Sequence, residues 1–134
     1  MAISKVIYDY VVSEENYGDR AEIIQEGTKG RWAFLVLEGE VKVKKKTPMG
    51  WLTVDTIKKG AILGEMVLVT RGECIRTASV VAHGPVKIGV LDIDRIIKDF
   101  ESLSPQLRTL LGVLITRLRE SMNRLAVLVA KAAG

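Results

Sequence analysis

The sequence has few of the residues from which metal, redox and disulfide sites are built. It contains a single histidine, His83, and a single cysteine, Cys74. One histidine cannot form a zinc or iron site that uses two or more imidazoles, so we expect no metal and no cofactor. One cysteine cannot form an internal disulfide, which fits a chain that works in the reducing cytoplasm.

Long apolar runs are also missing. The longest uncharged stretch near the C-terminus, 109–116, is far shorter than the roughly 20 apolar residues that span a bilayer, so no membrane span is expected. The first ten residues lack the apolar segment of a secretory signal. With 48% hydrophobic and 27% charged residues, the 134-residue chain suits one globular domain, 1–134. Its net charge of +4 permits an anionic partner without requiring nucleic acid.

Up to about Leu91, short apolar or alternating runs are separated by glycine-containing turns, a spacing typical of β-sandwiches and barrels. Residues 32–37 form an apolar run of strand length, and 41–44 alternate valine with lysine, which places the valines on a buried face. The lysines at 44–46 are expected to form a solvated edge that discourages edge-to-edge pairing, and a phosphate-binding patch is the less favoured alternative. Turns are predicted at four places: 38–40, 47–50, 58–60 and 83–85. The pattern therefore predicts a mainly β fold over about 5–91.

After Asp92 the period of apolar residues changes from two to 3.6, which predicts helix. The first helix covers about 92–102, and Asp92 is its expected N-cap. The second covers about 104–131, because Ser104 is suited to capping and Pro105 is tolerated in the first turn. The chain is thus expected to be mainly β with flanking helices.

The second helix carries apolar residues at a 4-3-4-3-4 spacing, which is a heptad seam. Its members are Leu111, Ile115, Leu118, Met122, Leu125 and Val129. A seam of this kind favours a parallel two-stranded pairing, so a homodimer is expected. Since the seam is shorter than three heptads, packing on the chain's own sheet is the open alternative.

The segment 60–79, between two predicted strands, is the candidate for chemistry. Gly64 precedes a short predicted helix at 65–69, and the free backbone N–H groups of a helix start bind anions. Arg76 offers a planar two-pronged donor to the same anion. Glu65 can accept a hydrogen bond from a sugar hydroxyl beside it. Taken together, these residues indicate a ligand that carries an anionic group and a hydroxyl group. Taken singly, Gly64 could be a turn glycine, Glu65 an acid at a helix start and Arg76 a surface charge.

Four motifs follow one another along the chain. They are Ile24-Gln-Glu-Gly27, Phe34-Leu-Val-Leu-Glu-Gly39-Glu-Val41, Gly60-Ala-Ile-Leu-Gly64-Glu65-Met66-Val-Leu68 and Arg76-Thr-Ala-Ser-Val80. Their order, over about 20–130, resembles the cyclic nucleotide-binding domains of the catabolite activator protein, protein kinase A regulatory subunits and cyclic nucleotide-gated channels. This resemblance implies an antiparallel double-stranded β-helix, a jelly-roll-like β-roll, followed by two C-terminal helices.

The same resemblance implies a phosphate-binding cassette. In it, Glu65 would hold the ribose 2′-hydroxyl and Arg76 the cyclic phosphate. The backbone amides carried over by position are those of Gly64, Met66, Val67 and Thr77. A threonine directly after the arginine is similar to the arrangement in many cGMP-responsive members and in channels that respond to cAMP, so the expected ligand is cAMP or cGMP.

One departure from the family pattern is the stretch between Leu68 and Arg76, which is about two residues longer than the usual cassette. Arg71, inside it, is a second candidate for the phosphate. Only Arg76, however, precedes the family-like Thr-Ala-Ser-Val.

The implied function is a non-enzymatic regulatory module. Nucleotide binding would free the hinge helix, 92–102, bring the lid helix, 104–131, over the base and relay the signal to an unidentified effector protein. No DNA-reading module follows the last helix, so direct DNA binding is not expected. The longer cassette motivates an alternative, a degenerate roll that binds no nucleotide and serves as a dimerisation or docking module. An enzyme of the metal-dependent cupin type is a weaker alternative, since that chemistry generally uses several histidines.

Overall fold

The computed structural model describes residues 5–64 and 74–133. Their strands and helices, in chain order, are α1 (Lys5–Tyr8), β1 (Val11–Tyr17), β2 (Glu22–Ile24), β3 (Lys29–Gly30), β4 (Phe34–Thr47), β5 (Gly50–Lys58), β6 (Ile62–Leu63), β7 (Cys74–Ile75), β8 (Ser79–Leu91), α2 (Ile93–Glu101) and α3 (Pro105–Ala133). The predicted mainly β fold with two C-terminal helices is confirmed.

Two long strands, β4 and β8, form the centre of the larger sheet. The order along it is β1-β8-β4-β5, with β2 also paired to β8 and β6 to β4. All of these pairs are antiparallel. A second, two-stranded sheet pairs β3 with β7. The predicted hairpin turn lies where β4 ends at Thr47 and β5 begins at Gly50.

The apolar run in β4 is buried on both of its faces. Val36 belongs to a cluster inside the roll with Val41, Val43 and others, whereas its neighbour Leu35 belongs to a second cluster beside Ile93 of α2. Leu35, Val36 and Val41 have no exposed surface. Because successive side chains of a strand point to opposite faces, a continuous apolar run is what a strand covered on both sides requires.

The predicted turns at 38–40 and 83–85 are wrong, because both segments lie inside strands that face each other. Gly39 in β4 has φ +84° and Gly84 in β8 has φ +77°, and the register between the two strands shifts at this point. A Cβ atom at Gly39 would overlap the carbonyl oxygen of Pro85. Glycine and proline therefore serve here as paired β-bulges rather than as chain reversals.

Both C-terminal helices begin at the predicted caps. The side chain of Asp92 accepts a hydrogen bond from the backbone N–H of Arg95 at 3.2 Å. The hydroxyl oxygen of Ser104 accepts one from the N–H of Leu107 at 3.2 Å. Helix α3 then packs along β4 and β5. Among the described residues, neither these helices nor α1 is both long and apolar enough to cross a membrane.

The described members of the predicted seam of α3 differ in exposure. Leu111 and Ile115 are half-buried, while Leu118 and Leu125 are exposed. The exposed leucines form a stripe of their own, named the leucine stripe below: Leu107, Leu110, Leu114, Leu118, Leu125 and Leu128. Leu111 and Ile115 are thus partly covered within the chain, whereas the leucine stripe is exposed.

Candidate functional site

Arg76 is held in place by main-chain hydrogen bonds on both sides. It follows β7, in which Ile75 lies opposite Lys29 of β3. The N–H of Arg76 donates to the carbonyl oxygen of Thr28 at 2.8 Å, and its own carbonyl accepts from the N–H of Gly27 at 2.8 Å. The small β3–β7 sheet therefore continues through Arg76 and fixes where its side chain begins.

The guanidinium of Arg76 is buried, with 9% of the residue exposed. Its Nη2 donates to the carbonyl oxygen of Trp32 at 2.7 Å. The plane of the group lies over Gly30, where a Cβ atom would overlap Nε and would lie 2.5 Å from Nη2. Its Nη1 lies beside Gly64, where a Cβ atom would be 2.9 Å away. Two glycines therefore leave the space that the guanidinium occupies.

Among the predicted site residues that the structure describes, Arg76 is the one that carries a charge. Within the described residues, the partner of the guanidinium is a carbonyl oxygen, which satisfies a donor but does not neutralise a charge. A buried cation is stabilised most by an anion that accepts several of its hydrogen bonds. The arrangement is thus suited to an incoming anion.

Gly64 lies directly after β6, whose Leu63 pairs with Phe34 of β4. Its φ of +78° is in the left-handed region that favours glycine. The structure therefore brings together Gly64 and Arg76, which the sequence predicted as parts of one site. The predicted residues Glu65, Met66 and Val67, and the alternative Arg71, lie outside the described residues.

The other described site residue, Thr77, is contacted by a lysine that sequence reasoning missed. Residues 79–83 of β8 pair with the end of β4, and Lys44 lies opposite Ser79. The next residue, Lys45, therefore flanks the chain just before Ser79, and its Nζ donates to the carbonyl oxygen of Thr77 at 2.5 Å. Lys45 is half-buried.

The expectation that the lysines at 44–46 form a solvated edge holds for the exposed Lys46 and is wrong for Lys44 and Lys45, which are both half-buried. Alternation does not single out Lys45, because the pairing of β4 with β5 has a register shift between Val43 and Lys44. Both half-buried lysines lie opposite residues of β5, and Lys44 also lies opposite Ser79 of β8, which the charge pattern does not reveal.

An ion pair and a hydrogen bond join α2 to earlier parts of the chain. Arg31 donates through Nη2 to Oδ1 of Asp94 at 2.8 Å, one residue along the chain from Trp32, whose carbonyl holds Arg76. Tyr10 donates its hydroxyl to Oδ2 of Asp99 at 2.5 Å. This hydrogen bond holds the pKa of Tyr10 above its usual 10.0. Helix α2 is thus tied to the same segment that positions the Arg76 guanidinium.

The residues on which a metal enzyme would depend are spread over the roll. His83 is exposed on β8, 3.6 Å from Glu40 of β4. Cys74 lies in β7, opposite Gly30. In the part of the chain that the structure describes, no group of three or more His, Cys, Asp and Glu side chains is arranged to hold a metal ion.

The described residues form a β-roll in which a buried arginine lies beside two glycines, and comparison with known proteins identifies its family. The family model described as cyclic nucleotide-binding domain matches residues 14–102. This match covers well over half of the chain. The chain therefore belongs to the cyclic nucleotide-binding domain family.

Individual relatives agree with this assignment. Over 70 residues the chain is 37% identical to the cGMP-dependent protein kinase egl-4 of Caenorhabditis briggsae, an alignment that covers 52% of this chain and 8% of the kinase. It is 32% identical to the crystal structure of a cyclic nucleotide-binding domain from Methylobacillus flagellatus, with a TM-score of 0.64 and coverage of 90% of this chain and 68% of the other. For the regulatory domain of Toxoplasma gondii PKA with cAMP, the identity is 26%, the TM-score 0.62 and the coverage 83% and 41%. The chain thus spans less than a tenth of the curated kinase it matches.

Proposed function

We propose that this chain binds a cyclic nucleotide, cAMP or cGMP, and that Arg76 is the partner of the cyclic phosphate. The observation that carries the proposal is the buried guanidinium, whose partner in the described residues is the uncharged Trp32 carbonyl. A cyclic phosphate is a small anion with two outward oxygens, which matches the planar fork of an arginine. Because Gly64 has no side chain beside Nη1, the backbone and the guanidinium can approach the same phosphate.

The rest of the proposed site follows the family pattern. Glu65 holds the ribose 2′-hydroxyl, and backbone amides from Gly64, Met66, Val67 and Thr77 complete the phosphate cradle. The names of the relatives support a cyclic nucleotide as the ligand class, since one is a cGMP-dependent kinase and another was solved with cAMP. These names support cAMP and cGMP equally as the ligand.

The proposed role is regulatory and non-enzymatic, within one cytoplasmic domain that acts on an effector protein. Helix α2 is the hinge and α3 the lid over the base. The ion pair between Arg31 and Asp94 supports the hinge, because a movement of Arg76 on binding displaces Trp32, the neighbour of Arg31. The nucleotide shifts the hinge only by its difference in affinity for the two positions.

The leucine stripe of α3 supports a homodimer as part of this function. Leu118 is 62% exposed and Leu128 63% exposed, and exposed leucines in register along one helix are typical of an association surface. The same observation favours the second candidate function, in which the roll binds no nucleotide and serves as a dimerisation or docking module.

Isothermal titration calorimetry with cAMP and cGMP separates the two functions. Binding by the wild type, together with a loss of about 2–5 kcal/mol in Arg76→Ala, is the expected result, because truncation removes one member of a buried charged pair. The matched control is Lys58→Ala, which removes one positive charge from an exposed position. If the wild type shows no heat of binding at millimolar nucleotide, the nucleotide-binding function is refuted and the dimerisation or docking function remains. Unchanged affinity in Arg76→Ala would move the phosphate to another residue, Arg71 being the first candidate.

A further inference from the structure

Lys45 is a cation of the roll for which the proposed site has no role. Lys45 is half-buried, and its Nζ donates a hydrogen bond to the carbonyl oxygen of Thr77, a member of the proposed site. Its neighbour in the chain, Lys46, has an exposed side chain. Lys45 is half-buried as a residue and its ammonium is held on a backbone carbonyl, so its position beside Thr77 is a feature to be explained.

The two cationic side chains are associated with different ends of β4, which covers Phe34–Thr47. The Arg76 guanidinium passes over Gly30 and reaches the Trp32 carbonyl, which is close in the chain to the first residues of β4. Lys45 lies near the other end of β4 and contacts the Thr77 carbonyl from there. A guest whose phosphate contacts the guanidinium therefore extends toward Lys45 when it lies along the roll. In a nucleotide, the group at that end is the base.

The chemistry of an ammonium distinguishes between the two purines. It has three N–H donors and no acceptor, and one donor is used on Thr77. Guanine presents N7 and O6 side by side, and both are acceptors, whereas adenine presents N7 beside an amino group that is itself a donor. An ammonium facing this edge attracts guanine at two atoms and meets the amino hydrogens of adenine unfavourably.

We propose that Lys45 reads the base and that the site prefers a cyclic nucleotide with a 6-oxopurine, cGMP, over cAMP. This inference rests on the proposed function, because it requires a nucleotide with its phosphate at Arg76. Lys45 is then a binding residue in addition to the cassette. The competing role for it is structural, as a tie between β4 and the Thr77 carbonyl.

The test uses calorimetry with three ligands: cGMP, cAMP and inosine 3′,5′-cyclic monophosphate. The inosine nucleotide has O6 and N7 but lacks the 2-amino group of guanine, so it isolates the edge that Lys45 is proposed to contact. The variant is Lys45→Met, which retains an apolar stem and removes the donors. The control is Lys46→Met, which changes the adjacent exposed lysine. Thermal unfolding of both variants checks the fold.

We expect the wild type to bind the guanine and inosine nucleotides about tenfold more tightly than cAMP. Lys45→Met should lose this preference by weakening those two ligands about tenfold, with cAMP binding unchanged, and Lys46→Met should match the wild type. Equal weakening of all three ligands in Lys45→Met would show a structural tie and overturn the inference. An inosine nucleotide that binds no more tightly than cAMP would also overturn it, and in both cases nucleotide binding stands. If no ligand binds the wild type, the proposed function itself fails, and this inference with it.

Discussion

Alanine at position 30 is expected to weaken nucleotide binding by displacing the guanidinium of Arg76. The Cβ atom would overlap Nε and lie 2.5 Å from Nη2 and 2.6 Å from Cζ, whereas unbonded heavy atoms are comfortable at about 3.5 Å or more. The guanidinium must therefore move by about 1 Å. The backbone of Gly30 is outside the left-handed region, so it accepts alanine without strain of its own.

The size of the effect follows from the hydrogen bond that the movement breaks. Its acceptor is the Trp32 carbonyl, 2.7 Å from Nη2, and hydrogen bonds to charged groups contribute about 1.5–3 kcal/mol. If the phosphate needs the guanidinium in that position, nucleotide affinity should fall between about tenfold and about 150-fold. Stability should fall less, by about 1 kcal/mol, because the displaced guanidinium regains contact with water.

Calorimetry of Gly30→Ala measures the affinity, and Gly18→Ala is the matched control because nothing lies within 4 Å of a Cβ atom there. The decisive comparison repeats Gly30→Ala in the Arg76→Ala background. If alanine at position 30 acts through the guanidinium, it should cost no further affinity once that group is gone. Wild-type affinity in Gly30→Ala, or an equal loss in both backgrounds, would refute the reasoning.

Other consequences of the structure are open to direct measurement. Gly64→Ala forces a side chain into a backbone with φ +78° and should lower the free energy of unfolding by about 1–2 kcal/mol and weaken nucleotide binding; an unchanged thermal midpoint would contradict the left-handed conformation. Leu118→Glu should convert a dimer to monomer in light scattering without unfolding the roll, and a wild type that is monomeric at every concentration would remove the leucine stripe as the dimer surface. The phenol of Tyr10 should titrate above pH 10.0 by NMR, and Asp99→Ala should lower its pKa toward 10.0. Since the folded state favours the neutral phenol, this contribution to stability is present below pH 10.0 and is lost as the pH rises through the raised pKa; the same pKa in both proteins would argue against the hydrogen bond.

The sequence predicted well those features of the fold that depend on neighbouring residues. The caps at Asp92 and Ser104 act within one turn of their own helices, so a local pattern suffices to find them. The segments 38–40 and 83–85 were misread for the complementary reason. A glycine with positive φ serves a turn and a bulge equally, and only the partner strand decides between them.

In the candidate site, too, the residues that belong to sequence motifs were predicted, whereas those brought in by strand pairing were not. The order of the motifs predicted that Gly64 and Arg76 belong together, and the structure places them side by side. Gly30 and the Trp32 carbonyl could not be found in this way. Gly30 reaches the site through the pairing of two short strands distant in the chain, and a backbone carbonyl has no signature in the sequence. The half-buried position of Lys45 also depends on pairing between strands, because β4 pairs with β5 through a register shift at 43–44 that the sequence does not reveal.

The most direct test of the central claim is a crystal structure of the chain with cGMP or cAMP bound. The account predicts an oxygen of the cyclic phosphate at about 2.7–3.2 Å from the guanidinium of Arg76, on the side of that group next to Gly64. A nucleotide whose phosphate is bound elsewhere, with the guanidinium still directed only at the carbonyl of Trp32, would contradict it.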